Sequence, residues 1–228
     1  MKENNLKTLD FFVIFFGSAC LTVFIKRALL SIVPELYATS TGNIIGSLWV
    51  QDGLFFLGVL LFLRLHGERL SILGWRLPKS ATTVLGAVAS GALLYLLMNM
   101  TALALNRLLP HGLAQQSVAS YMQAGDGLAQ KLVVWLTMGV LAPIVEETLF
   151  RGYLYQSIRN WLPTLPAMFL ASLIFGATHM DVQRAIPLAL GGFCLNLIAE
   201  RQQSVLVSAI SHATWNTLMI IAYYVAIQ

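Results

Sequence analysis

Charged residues are scarce in this chain of 228 residues: only 11% are Asp, Glu, Lys or Arg, whereas 57% are hydrophobic. A soluble globular domain has about 25% charged residues, so this composition excludes an ordinary cytosolic enzyme. It also excludes a disordered chain, because disorder requires low hydrophobicity and a high net charge. The composition is typical of a polytopic membrane protein.

Cysteine is scarce as well, and basic residues form no patch. Cys20 and Cys194 are the two cysteines, and both lie in apolar stretches, where a free thiol behaves as a small hydrophobe. No disulfide framework is therefore predicted. The basic residues stand singly or in pairs between apolar stretches, so the net charge of +4 indicates orientation in a membrane and not binding of nucleic acid.

The apolar stretches are numerous enough for a helical bundle. A transmembrane helix needs about 20 mostly apolar residues, and the sequence contains seven candidates: 9–25, 43–63, 81–105, 132–158, 167–180, 185–199 and 204–227. The first runs into Gly17-Ser18-Ala19-Cys20, which is similar to a lipobox except that Gly17 stands where a lipobox has Leu. We therefore predict an uncleaved first span. The expected fold is an all-α transmembrane bundle with 7–8 spans in one membrane domain, 1–228.

Two connections between these stretches carry their own predictions. Residues 64–80 mix basic and apolar residues around Pro78, a pattern that predicts a short interfacial helix. Residues 106–131 are polar and contain Pro110, and they predict a long loop that covers or admits a substrate. With the N-terminus in the cytoplasm, eight basic residues fall on that side and five outside, which is a weak orientation bias.

The fourth apolar stretch carries Glu146, Glu147 and Arg151 where hydrocarbon is expected. Each ionised group at the centre of a spanning helix costs about 2.5–3.5 kcal/mol, so these three must be paired or used. On an α-helix Glu147 and Arg151 lie one turn apart on one face, whereas Glu146 points about 100° away. We predict a supporting Glu147–Arg151 ion pair and a free Glu146. The alternatives are that Arg151 binds a substrate carboxylate or that all three form a packing network.

Two later stretches contain further polar residues at helical spacing. Phe175 lies four residues before His179, and His212 lies four residues before Asn216, so each pair shares a helix face. Ionisable groups inside a membrane usually face the bundle interior or a wet cavity. We therefore expect Glu146, His179, His212 and Asn216 to meet in one intramembrane catalytic cavity.

Such a set of side chains can activate water for hydrolysis. Burial makes a carboxylate a stronger base, so Glu146 can take a proton from water that His179 orients. His212 and Asn216 can donate hydrogen bonds to the oxyanion of a tetrahedral intermediate. Alternatively, Glu146 or Glu147, His179 and His212 supply three ligands for a divalent metal, with zinc the first choice. The chain lacks HExxH, the strongest zinc signature, so we favour the version without a cofactor.

In their order and spacing these motifs resemble those of the CPBP family, the CAAX-protease and bacteriocin-processing intramembrane proteases, which includes the type II CAAX prenyl endopeptidases. The EExxxR motif is Glu146, Glu147 and Arg151; FxxxH is Phe175 and His179; HxxxN is His212 and Asn216. The resemblance covers residues 130–220. It implies Glu146 and His179 as water activators and His212 and Asn216 as oxyanion stabilisers. The supporting residues are Glu147, Arg151 and Phe175.

The resemblance also implies a function. The expected protein is an intramembrane endopeptidase of the glutamic type that cuts near the C-terminus or membrane anchor of a membrane-anchored or lipid-modified protein. A CAAX tail, a sorting signal and a bacteriocin precursor are the substrate types considered, in a prokaryotic plasma membrane. Two alternatives remain open: a non-catalytic scaffold or bacteriocin self-immunity protein, and a transporter with a proton relay.

Overall fold

Seven helices make up the part of the fold that the structure describes. The computed structural model describes residues 4–37, 40–108, 127–181 and 184–226, and within these ranges there is no strand. The helices are α1 Thr8–Ile32, α2 Ser40–Leu65, α3 Ala81–Leu108, α4 Leu128–Ile158, α5 Thr164–Thr178, α6 Ala185–Gln202 and α7 Val205–Ala226. Each predicted span overlaps one of these helices, so the predicted all-α bundle is confirmed.

Five of the helices, α1, α2, α3, α4 and α7, are long and apolar enough to cross a membrane. The chain is therefore an integral membrane protein. The 15 residues of α5 extend about 22 Å, which is less than the roughly 30 Å hydrocarbon core. This short helix packs along α6, and together they cover the polar part of α4.

Helix α4 is not a uniform α-helix. It widens into π-helical turns at Trp135–Leu141 and again at Thr148–Leu154, on either side of the α-helical segment Ala142–Glu147. Pro143 has no N–H to donate within the helix, and such interruptions favour wider turns. Glu146 and Glu147 thus lie on a short α-helical segment between two irregular ones.

The connection at 64–80 differs from its prediction. Its only helical turn is the 3₁₀ turn Leu70–Leu73, which Gly74 ends at a φ of 76°. The Gly74 carbonyl then accepts a hydrogen bond of 2.9 Å from the N–H of Val205. The predicted interfacial helix is therefore reduced to this one turn, because the backbone that follows it bonds to the start of α7. Most of the other predicted connection, 109–126, lies outside the described residues.

A buried core surrounds the second half of α4. Phe150 contacts Phe11 of α1 and Phe175 of α5 edge to face, with ring centroids 5.3 and 4.9 Å apart. Close by, the Asp10 carboxylate accepts a hydrogen bond of 3.0 Å from the Tyr153 hydroxyl and pairs with His66 at 2.6 Å. Because Asp10, His66 and Tyr153 belong to three elements, this cluster links α1 and the end of α2 to α4.

Candidate active site

Glu147 is the centre of a buried polar cluster. Its side chain has no solvent exposure, and each of its oxygens is engaged. Oε1 accepts a hydrogen bond from Arg151 Nη1 at 2.8 Å and lies 3.0 Å from His212 Nδ1, while Oε2 accepts one from the Ser208 hydroxyl at 2.6 Å. The structure thus places Glu147 and Arg151 together, as their spacing predicts, and adds His212 and Ser208 from α7.

Arg151 is equally enclosed. Only 1% of its side chain is exposed, its Nη2 donates to the Gly192 carbonyl at 2.9 Å, and its guanidinium carbon lies 4.7 Å from the centroid of the Phe175 ring. A Cβ on Gly192 would come within 2.9 Å of that ring, so glycine permits this close approach of α6. A guanidinium with these partners is poorly placed to bind a substrate carboxylate.

Next to this cluster lies a cavity of about 380 Å³. Four of its lining residues are the predicted catalytic ones: Glu146 from α4, His179 after α5, and His212 and Asn216 from α7. Another wall is apolar and includes Leu48, Met138, Leu188 and Met219. Side chains from three separate hydrophobic segments therefore meet at one concave surface.

His212 lies between the two adjacent glutamates. Its Nδ1 faces Glu147, and its Nε2 lies 3.8 Å from Glu146 Oε2. Since Glu147 already accepts hydrogen bonds from Arg151 and Ser208, it acts as acceptor here too, and Nδ1 carries the proton. The side chain of Glu146 remains 28% exposed, so one glutamate faces the cavity while its neighbour holds the histidine.

The remaining motif residues are held by backbone carbonyls. His179 Nδ1 lies 2.8 Å from the Phe175 carbonyl, and its ring packs on the Phe175 ring with centroids 4.8 Å apart. Asn216 donates a hydrogen bond of 2.9 Å to the Met138 carbonyl. Ala142 N–H bonds the Thr137 carbonyl, and the next donor in that register would be Pro143, which has none. Asn216 therefore supplies the hydrogen bond that the proline cannot.

The motif region also matches a known protein family. Residues 128–218 match the type II CAAX prenyl endopeptidase Rce1-like family. An uncharacterized 24.3 kDa protein of Escherichia coli is 32% identical over 101 residues, which are 42% of this chain and 46% of the relative. The chain thus spans about half the length of this relative, and no solved structure matches it.

The sequence analysis left open a zinc set of Glu146, His179 and His212. Among the residues that the structure describes, no group of three His, Cys, Asp or Glu side chains is arranged to hold a metal ion. Both carboxylate oxygens of Glu147 are already engaged by Arg151, His212 and Ser208. Glu146, His179 and His212 thus line one cavity, but their side chains are not arranged around a common point where a metal ion could bind.

Two residues were missed by the sequence analysis. Ser208 lies one helical turn before His212, a spacing that places both on one face of α7. Asp52 is an acidic residue inside the second apolar stretch, and its Oδ2 is buried without a hydrogen-bond partner among the described residues. The reasoning that singled out Glu146, an ionisable group within hydrocarbon, applies equally to Asp52.

Proposed function

We propose that this protein is an intramembrane endopeptidase in which Glu146 deprotonates the attacking water. The observation that carries the proposal is the cavity shared by Glu146, His179, His212 and Asn216. The match of residues 128–218 to the Rce1-like endopeptidases supports the same reaction class. No cofactor is needed for this chemistry, because a positioned carboxylate and histidines suffice to activate water.

The first step is attack on the scissile carbonyl. Glu146 accepts a proton from a water molecule that His179 orients through Nε2, since the His179 Nδ1 is occupied by the Phe175 carbonyl. The water oxygen forms a bond to the carbonyl carbon, and the carbonyl oxygen becomes an oxyanion. The Nδ2–H of Asn216 that does not bond Met138 donates a hydrogen bond to it, and His212 contributes a second donor through Nε2–H.

The second step releases the products. The tetrahedral intermediate collapses, the C–N bond breaks, and the carboxylic acid of Glu146 gives its proton to the leaving amine. Glu147 serves this cycle indirectly, because its hydrogen bond to His212 Nδ1 fixes the orientation of the ring and stabilises its positive charge. Arg151 in turn keeps Glu147 ionised and in place.

The proposed substrate is a membrane-anchored or lipid-modified protein, cut near its C-terminus or anchor. The apolar wall of the cavity, which includes Met138 and Met219, favours an apolar segment beside the scissile bond, since methionine adapts to irregular shapes. A CAAX tail, a sorting signal or a bacteriocin precursor in a prokaryotic plasma membrane fits this description.

The test replaces the proposed base and compares protein termini. Membranes from a strain that lacks the gene are supplied with the wild type, Glu146→Gln, His179→Ala or the control Glu35→Gln, which removes an exposed carboxylate. Mass spectrometry of protein termini should find new termini with the wild type and the control only. Cleavage should fall by about 10²–10⁴-fold in the other two, while their thermal unfolding in detergent is unchanged. Identical termini in all strains would favour a non-catalytic scaffold instead. A Glu146→Gln variant that still protects the cells against a bacteriocin would favour an immunity protein.

A further inference from the structure

A second cavity, of about 170 Å³, lies at the end of the bundle where α4 ends at Ile158 and α7 begins at Val205. Its walls are the last two turns of α4, the end of α6, the turn into α7 and the stretch 71–76 of the connection after α2. None of the four proposed catalytic residues lines it. Because α4 and α7 both span the membrane, this cavity lies at the membrane surface, apart from the catalytic cavity.

Two charges of opposite sign line this second cavity without neutralising each other. Arg76 belongs to the connection after α2, and Glu200 belongs to the last turn of α6. They form no ion pair with each other, and neither pairs with another residue in the part of the chain that the structure describes. Glu200 Oε2 accepts a hydrogen bond of 3.0 Å from the hydroxyl of Tyr155, another lining residue. A ligand with one negative and one positive group would therefore satisfy both charges at once.

Arg151 contributes a second guanidinium to the lining of this cavity. Its Nη1 and Nη2 bind Glu147 and the Gly192 carbonyl, whereas its buried Nε–H has no acceptor among the described residues. Buried polar atoms without partners are rare in native proteins, and each one calls for an explanation. Arginine binds phosphate through several parallel N–H donors, so the two guanidinium groups favour a phosphate as the negative group of the ligand.

The surroundings of the cavity favour a lipid over a soluble ligand. Leu70 and Leu77 flank the stretch 71–76, and they are 58% and 84% exposed. Exposed leucine side chains at the end of a membrane bundle are suited to contact with acyl chains. Basic pockets between transmembrane helices at the membrane surface bind lipid headgroups, and Arg76 gives this cavity that character.

We propose that this cavity binds the phosphoethanolamine headgroup of a membrane phospholipid, with the phosphate against Arg76 and Arg151 and the ammonium against Glu200. This headgroup carries one negative charge and an ammonium with N–H donors, which match the two residues that lack ion-pair partners. The site is separate from the proposed protease reaction, so the inference does not depend on the proposed function.

The binding test compares three lipids and needs no protease substrate. The full chain, stripped of lipid in detergent, is titrated with phosphatidylethanolamine, phosphatidylcholine or phosphatidylglycerol, and native mass spectrometry counts the bound molecules. One phosphatidylethanolamine should bind per chain, about tenfold more tightly than either other lipid, because choline has no N–H to donate to Glu200 and the glycerol headgroup has no positive charge. Equal affinities for the three lipids would refute the proposal. Soluble phosphoethanolamine that binds as tightly as the lipid would refute the assignment to a membrane lipid.

Variants then assign the two ends of the headgroup. Glu200→Gln keeps an oxygen acceptor for Tyr155 but removes the charge, so the preference for phosphatidylethanolamine over phosphatidylglycerol should disappear. Arg76→Gln should weaken all three lipids about tenfold, because each of them carries a phosphate. The controls Glu35→Gln and Arg69→Gln change exposed residues outside the cavity lining and should bind as the wild type does. A preference that survives in Glu200→Gln, or a control that weakens binding as much as Arg76→Gln, would overturn the site. If a variant does not fold, the titration of the wild type still decides on the proposal.

Discussion

Removing the guanidinium of Arg151 should destabilise the protein more strongly than removing the whole Glu147–Arg151 pair. Arg151→Leu leaves Glu147 fully buried without its cation, and it also deprives the Gly192 carbonyl of a hydrogen-bond donor. Breaking a buried ion pair in this way costs about 3–5 kcal/mol. The double variant Glu147→Leu/Arg151→Leu removes both the carboxylate and the guanidinium, so neither is left buried without the other, and we expect it to be more stable than Arg151→Leu by about 2 kcal/mol.

The assay is a double-mutant cycle on the free energy of unfolding in detergent. The exposed Arg69 supplies the control, since Arg69→Leu removes the same charge and should stay within about 0.5 kcal/mol of the wild type. Independent residues give additive effects, whereas coupled residues show an interaction energy of about 0.5–3 kcal/mol. Additive single effects, or an Arg151→Leu variant as stable as the control, would refute the claim that Arg151 neutralises Glu147 inside the bundle.

Two further predictions concern the residues around this pair. Gly192→Ala should lower the free energy of unfolding by about 1–3 kcal/mol, because the new Cβ would meet the Phe175 ring at 2.9 Å. The control Gly86→Ala, which has open space around it, should not be destabilising. Equal unfolding temperatures for the two variants would contradict this packing argument. Ser208→Ala should lower the free energy of unfolding by about 1.5–3 kcal/mol, because it removes the hydrogen bond to Glu147 Oε2. An unfolding curve that matches the wild type would show that this bond does not contribute to stability.

Helix periodicity predicts local pairs well. The spacing of Glu147 and Arg151 places them on one face, and the structure joins them at 2.8 Å. The same reasoning could not find the bond between His212 and Glu147, which links residues 65 positions apart. That contact depends on how α7 crosses α4, and residue spacing within one helix carries no information about the crossing.

Helical patterns in the sequence also failed to predict the conformation of segments whose backbone carbonyls accept hydrogen bonds from another helix. The segment 64–80 has the mixed pattern of an interfacial helix, yet it forms a single 3₁₀ turn. The carbonyls of Gly74 and Arg76 accept hydrogen bonds from Val205 and Ser204 at the start of α7 instead. The π-helical turns of α4 were likewise not predicted. The first of them precedes Pro143, which lacks a donor, and the Met138 carbonyl there takes its hydrogen bond from another helix, from Asn216.

The amino-acid sequence by itself determined the membrane location, the position of each helix and the identity of the polar motif residues, because hydropathy and the helical repeat are properties of neighbours along the chain. Only the tertiary structure decided which of two adjacent glutamates is enclosed and which faces the cavity. Burial and charge interactions in a low-dielectric interior depend on what surrounds a side chain in space, and those surroundings come from helices distant in the sequence.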